Sequence, residues 1–206
     1  MAKKRHPTFN FILVLDGFEP GNDAVEDSLF EAGCDDALLS FRGSTPLLEF
    51  DRTAPSLEDA IFQAIENVEV ANVKATVLRV EPDDLVTASE IARRTSSSRE
   101  AVRLWHEGER GPGSFPPPVA TLGSNTMVWS WAEVSAWLLG NGKLKDASVV
   151  ESARFLARLN ALLNEERYHH LLKADSSLRN RVKETGALKR LRSLARAVDQ
   201  RAAKTG

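Results

Sequence analysis

The side chains whose spacing could do chemistry together are Arg99, Arg103 and His106, in the run Ser-Arg-Glu-Ala-Val-Arg-Leu-Trp-His-Glu-Gly from Ser98 to Gly108. Positions three and four apart share a helix face. These three therefore project together, while Ala101, Val102 and Trp105 fall at core spacing behind them. A short helix with a buried seam and a guanidinium face suits a major groove, where Arg can bond a guanine edge or a phosphate. A second short helix precedes it, with Ile91 and Ala92 inward and the polar turn Thr95-Ser96-Ser97-Ser98 between the two. Thr87 with Glu90, and Ser97 with Glu100, have capping-box spacing, so both helix starts are signalled locally.

The order of further residues carries a resemblance. Leu85-Val86-Thr87, Ser98-Arg99, Val102, Trp105, Glu107-Gly108, Phe115-Pro116, Val128-Trp129 and Glu133-Val134-Ser135-Ala136-Trp137-Leu138 follow one another as they do in a known group. The segment resembles the winged helix-turn-helix of the MerR, excisionase and AlpA-type prophage regulators, over residues 85–139, about a quarter of the chain. The resemblance implies a DNA-binding unit over 85–140 whose helix 98–107 reads duplex DNA. Arg99 and Arg103 are the expected groove contacts, with Glu100 and His106 on the same helix. Ser98 and the helix start it caps are expected to hold phosphate through backbone amides. Arg93, Arg94, Arg110, Ser124 and Asn125 are the expected secondary backbone contacts. Proteins of this kind bind paired half-sites as dimers, because one short helix reads few bases. Two positions depart from the pattern. Ser96 and Ser97 stand where the family has Gly and an apolar residue, and the wing tip Gly123-Ser124-Asn125 lacks an Arg pair.

Composition sets the frame for these residues. A chain of 206 residues holds one to two domains and a real core. An apolar share of 42% and a charged share of 27% are those of a soluble globular protein. The longest apolar run, Phe11 to Leu15, is far too short to span a bilayer. Lys3-Lys4-Arg5 precedes no adequate apolar region, so a signal peptide is not expected. The single Cys34 excludes an internal disulfide and fits a reducing cytoplasm; a reactive thiol and a small buried filler beside Gly33 are the two readings of it. Charge is unevenly spread. From Met1 to Val86, 7 basic residues face 17 acidic ones, a net of −10. From Thr87 to Val150 the balance is 7 to 6, or +1, and from Glu151 to the end 13 to 6, or +7. Phosphate would repel the first part, so any nucleic-acid affinity is placed in the middle and C-terminal parts.

The elements before the Arg-bearing helix follow a β-α-β-β-α-β order. After a disordered basic tail, 1–7, strands are expected at Asn10–Leu15, Ala37–Phe41, Leu47–Asp51 and Val73–Val80. Helices are expected at Ala24–Ala32, ended by Gly33, and at Leu57–Val68, begun by Pro55-Ser56. Arg42 to Pro46 reads as a hairpin turn. Two helices on one face of a four-stranded antiparallel sheet is the ferredoxin-like arrangement, expected over 8–81. The fold class is thus α+β, with a ferredoxin-like N-terminal domain, the winged unit and an α-helical C-terminal region over 147–206. Neither a phosphate loop nor a catalytic constellation is present in the first domain. Asp35-Asp36 reads either as a pair of acids for catalysis or metal, or as a solvated turn. A sheet with one face covered leaves a surface seeking a partner, from the C-terminal helices or from another chain.

After Gly108, Phe115-Pro116-Pro117-Pro118 excludes helix; it is a stiff connector seating Phe115, or a ligand for a partner. Val119–Leu122 and Met127–Trp129 are expected to form the wing, followed by a helix over Trp131–Leu139. Trp105, Trp129, Trp131 and Trp137 read as a miniature core, with single-strand base stacking as the alternative. A long helix is expected from Ala147, with later ones over Ser176–Glu184 and Ala187–Ala203. Lys189, Arg190, Arg192, Arg196 and Arg201 form a basic face on the last. Tyr168-His169-His170 lacks the i+4 partner a metal would need. These features together predict a cytoplasmic DNA-binding regulator, not an enzyme, with no cofactor and no metal. It is expected to be a homodimer, joined through the C-terminal helices first and the N-terminal sheet second. The alternative is an antitoxin-like or defence-system adaptor that holds a protein partner on its acidic N-terminal domain.

Overall fold

The computed structural model describes residues 6–21, 23–123, 125–174, 176–186, 189–190 and 193. The chain is mixed α+β, with 46% helix and 23% strand and antiparallel sheets. It divides into two compact units: residues up to Asp83 together with Phe155–Asn164, and Asp84–Arg154 together with the residues from Glu165. Among the described residues no helix is long and apolar enough to cross a membrane. Of the expected C-terminal basic face, Arg192, Arg196 and Arg201 lie outside the described residues, as does Ser124 of the expected wing.

The first unit runs β1 (Thr8–Asp16), α1 (Asp23–Glu31), β2 (Ala37–Arg42), β3 (Thr45–Thr53), α2 (Leu57–Val70) and β4 (Thr76–Glu81). The strands form one antiparallel sheet in the order β2-β3-β1-β4. Alternation along the strands sends Phe11, Leu13 and Leu15 of β1, and Leu48 and Phe50 of β3, into one core. Phe11 and Phe50 stack there at 5.1 Å. Val77 and Val80 of β4 are three apart yet share that face, because the β1–β4 register shifts between Val14 and Leu15. Val25 and Leu29 of α1, and Ala60, Ile61, Ala64 and Val68 of α2, close the core from the other side. Ser56 caps α2, its hydroxyl accepting from Asp59 N at 3.1 Å.

Two sequence expectations need correction here. The hairpin turn is not the whole of Arg42–Pro46 but only Gly43-Ser44, since Arg42 pairs with Thr45 and Phe41 with Pro46. Pro46 is tolerated in β3 because it lies beyond the last β1–β3 pair, Val14 with Leu47. Nor is Asp35-Asp36 simply a solvated turn. Asp36 receives two bonds from Arg52, which is only 6% exposed.

Within this unit, the middle of α6 (Ala147–Arg167) adds Leu156 and Leu159 to the core, and Phe155 meets Phe62 of α2 edge-on at 5.8 Å. The other sheet face carries Asn10, Ile12, Leu38, Glu49, Asp51 and Glu81 around a concavity of about 470 Å³.

The second unit runs β5 (Leu85–Thr87), α3 (Ala88–Arg94), α4 (Arg99–His106), β6 (Ala120–Leu122), β7 (Thr126–Ser130) and α5 (Trp131–Gly140). The helices α7 (His169–Ala174) and α8 (Ser176–Glu184) follow later in the chain. The strands form a three-stranded antiparallel sheet in the order β5-β7-β6. β5 was not expected as a strand; Val86 pairs with Trp129 and is buried beside it. Trp129, Trp131 and Trp105 pack with Ile91, Val102, Val134 and Leu138 in a single core. The start of α5 is doubly capped: Ser130 accepts from Glu133 N at 3.3 Å, and Asp84 Oδ1 from Ala132 N at 2.7 Å.

Candidate nucleic-acid interface

Local chemistry positions α4. Its N-cap is Ser98, whose hydroxyl accepts from Ala101 N at 3.0 Å, and not Ser97. The expected Ser97–Glu100 box therefore does not form. Ser97 Oγ lies 3.5 Å from Thr95 O, and Glu100 turns to an Arg instead. Thr87 does cap α3 through Glu90 N at 3.3 Å, but the Glu90 carboxylate reaches forward to Arg93 and Arg94 and not back. In the turn Ser96 takes a positive φ of 51°, a backbone shape that Gly adopts most readily.

Val102 and Trp105 bury one side of α4. Arg99, Glu100, Arg103 and Glu107 occupy the exposed side, so the predicted guanidinium face exists but is mixed in sign. Arg103 donates through Nε and Nη2 to Glu100, the latter at 2.7 Å, and through Nη1 to Glu107. Glu109 lies 3.8 Å from Nη2. These bonds hold the Glu100 carboxyl below its ordinary range and raise Arg103 further above its own. Arg99 is exposed and has no ion pair among the described residues. Glu107 and Glu109 were missed as neighbours of Arg103, although an i, i+4 Arg–Glu spacing signals the first of them.

The other expected contacts separate. Arg93 is exposed and bonded to Glu90 at 2.7 Å. Arg94 is mostly covered, bonded to the same carboxylate at 2.8 Å and lying 4.9 Å over the Trp131 ring. It is thus a packing residue of the α3–α5 region rather than an outward anchor. The two guanidiniums pull the Glu90 carboxyl down to about 2. His106 does not project with the arginines; its ring is half-buried and meets Trp129 edge-on at 5.5 Å. Arg110 and Asn125 are exposed, Arg110 on the loop after α4 and Asn125 at the tip between β6 and β7.

That loop is pinned to the core. Trp137 Nε1 donates to Gly113 O at 2.9 Å, and Phe115 meets Trp137 at 5.0 Å and Trp129 at 6.2 Å. Gly111 has a φ of 93°, a backbone conformation that side-chain-bearing residues rarely adopt, and it lies against Trp105. This is the seating role for Phe115. The tryptophans are core residues, with Lys143 over the outer face of Trp105 at 5.1 Å, so they offer no exposed stacking platform. Trp129 Nε1 is buried and has no hydrogen-bond partner among the described residues. The β6 edge carries Val119 and Leu122 well exposed, where a phosphate-gripping hairpin would carry cations.

Elsewhere, burial pushes the Cys34 thiol up to about 11, which makes it an inert filler. Among the described residues, no three His, Cys, Asp or Glu side chains come together as a metal would require. No protein-family model, curated protein or solved structure matches the chain.

Proposed function

We propose that the protein is a sequence-specific double-stranded DNA-binding regulator of transcription that reads the major groove with α4 and its caps, residues 98–107. The observation that carries this reading is Arg99. It is an exposed cation with no ion pair among the described residues, on the first turn of a helix whose cap is Ser98. Free amide N–H groups and the positive end of the helix dipole favour phosphate at the same end. The succession α3, turn, α4, β6–β7 hairpin and α5 around one tryptophan core supports a winged helix-turn-helix. The order β2-β3-β1-β4 beneath α1 and α2 supports a ferredoxin-like first unit. In this reading the protein is a non-enzymatic cytoplasmic homodimer that engages two half-sites and needs no cofactor. The test is fluorescence anisotropy of the whole chain with duplexes from its own locus and with a randomised duplex pool. Binding should select particular sequences and weaken steeply with salt. No duplex bound at low salt would sink the reading.

A second reading has observations of its own. Three carboxylates surround Arg103, Val119 and Leu122 are exposed, and the sheet face away from α1 and α2 sets Leu38, 65% exposed, opposite Glu49 and near Asp51. An antitoxin-like or defence-system adaptor would use that sheet face to hold a basic protein partner. Deleting residues 1–80 cannot test this cleanly, because Leu156 and Leu159 would lose the core they pack in. Leu38→Lys with Glu49→Lys, on the exposed face, should instead abolish co-purification of one specific protein while leaving duplex binding intact.

A further inference from the structure

We infer that Arg103 reads a guanine rather than gripping a phosphate, and that Glu100 and Glu107 are the residues that position it for that choice. This rests on the duplex-binding reading above. A guanidinium has five N–H donors. Glu100 takes two of them, from Nε at 3.0 Å and Nη2 at 2.7 Å, and Glu107 takes one from Nη1. Two donors are left, one on each terminal nitrogen. Guanine offers two acceptors, O6 and N7, on its major-groove edge. The grip of the two carboxylates fixes the plane of the group before any DNA arrives, so fewer rotamers are lost on binding.

The same carboxylates decide against the backbone. Glu100 and Glu107 touch the guanidinium, and Glu109 stands 3.8 Å away, so an approaching phosphate meets three anions around one cation. A base edge carries no formal charge and is not repelled in this way. Arg99 lacks such neighbours among the described residues and keeps its attraction for phosphate. One helix face thus divides the work between a specificity residue at 103 and an affinity residue at 99.

The experiment uses the full chain and the duplex it selects from a randomised pool. Each guanine of that site is replaced in turn by 7-deazaguanine, which removes N7 and keeps pairing. One replacement should weaken the native protein about tenfold. The same replacement should leave Arg103→Ala, already weakened at that position, unaffected. Glu100→Gln should tighten non-selected duplexes, steepen the salt dependence by about one counterion and lower discrimination at that guanine. Glu107→Gln, which removes the other grip, should act in the same direction if Glu100→Gln does not fold. A merely structural Glu100 would change the unfolding midpoint and leave the salt slope alone. If no guanine shows the coupling, or if both Gln variants keep the native slope and discrimination, the inference is overturned while duplex binding stands. If the native chain selects no duplex at all, both fail together.

Discussion

Asn160 and Val80 meet through both ends of one amide: Asn160 Oδ1 accepts from Val80 N and Asn160 Nδ2 donates to Val80 O, each at 2.8 Å. β4 is an edge of the four-stranded sheet, and a bare edge is a template for unwanted pairing. The buried side chain from α6 occupies that template as a further strand would, at one residue. Asn160→Ala removes both partners and leaves two buried backbone groups unsatisfied. At about 1–3 kcal/mol for each such group, the loss should be about 2–6 kcal/mol in denaturant unfolding. An Asn160→Ala midpoint within experimental scatter of the native one would show that water replaces the amide.

Arg52 makes a comparable demand on the opposite part of the core. It donates to both oxygens of Asp36, at 2.7 and 2.9 Å, to Gly33 O at 2.8 Å and to Asn67 Oδ1 at 3.2 Å, and it lies 4.7 Å from the Phe50 ring centre. One guanidinium thereby joins β3, the end of α1 and the last turn of α2. Removing one partner of a buried pair costs about 3–5 kcal/mol. Arg52→Ala should fall in that range by thermal or denaturant unfolding. Asp36→Asn should cost less, because the amide oxygen still accepts from Arg52, and Gly33 O and Asn67 Oδ1 keep their bonds from the guanidinium. Arg52→Lys should resemble the alanine variant, since an ammonium cannot fork across these acceptors. If Asp36→Asn proves the more damaging change, the network is held from the loop and not from the strand.

Much of this architecture could be read from the sequence because it is local. The apolar run from Phe11 to Leu15, the stop at Gly33 and the Pro55-Ser56 helix start each depend on a few neighbouring residues, and these placed strands and helices of the first unit. What escaped depended on distant partners. β5 is three residues long and becomes a strand only by pairing with β7. Arg52 sits at a strand position where charge normally faces water, and its acceptors come from two other stretches of chain, the turn after α1 and the last turn of α2. Gly33 was legible as a helix end, but not the reason Ala would fail there: a Cβ would run into Asn67 Nδ2, besides the φ of 93°. At the candidate interface the sequence offered both Ser97 and Ser98 as the cap, because consecutive serines satisfy the same local rule, and the structure uses Ser98. The side of α4 that carries Arg103 was correct. Its carboxylate neighbours were visible as spacing, but their effect on what Arg103 can bind needed distances.

Glu90 gives the second unit a measurable pH dependence. Bonds from Arg93 and then Arg94 lower its carboxyl from 4.5 to about 2 in the folded protein. For a depressed acid, the stabilisation is fully present above the unfolded value and is lost as pH falls through the folded one. The native chain should therefore lose stability between about pH 4.5 and 2 more steeply than Glu90→Gln, which has no such proton to take up. Unfolding midpoints of the two proteins across that window provide the check, and parallel curves would show that the pairing contributes nothing in solution.

Arg99 and Arg94 make the sharpest contrast on the candidate interface, because they fail in different ways. Arg99 is exposed and carries no ion pair among the described residues, so its loss should leave the unfolding midpoint unchanged. Arg99→Ala should weaken every duplex to a similar degree and reduce the salt slope by about 1. Arg94 is bonded to Glu90 and covers Trp131, with 17% of its side chain exposed. Arg94→Ala should lower the unfolding midpoint through lost packing as well as lost charge. Among molecules that remain folded, its salt slope should be native. Anisotropy titrations at several salt concentrations, run beside melting curves of the same samples, separate the two. A reduced slope for Arg94→Ala at full stability would move the phosphate contact from the start of α4 to the end of α3.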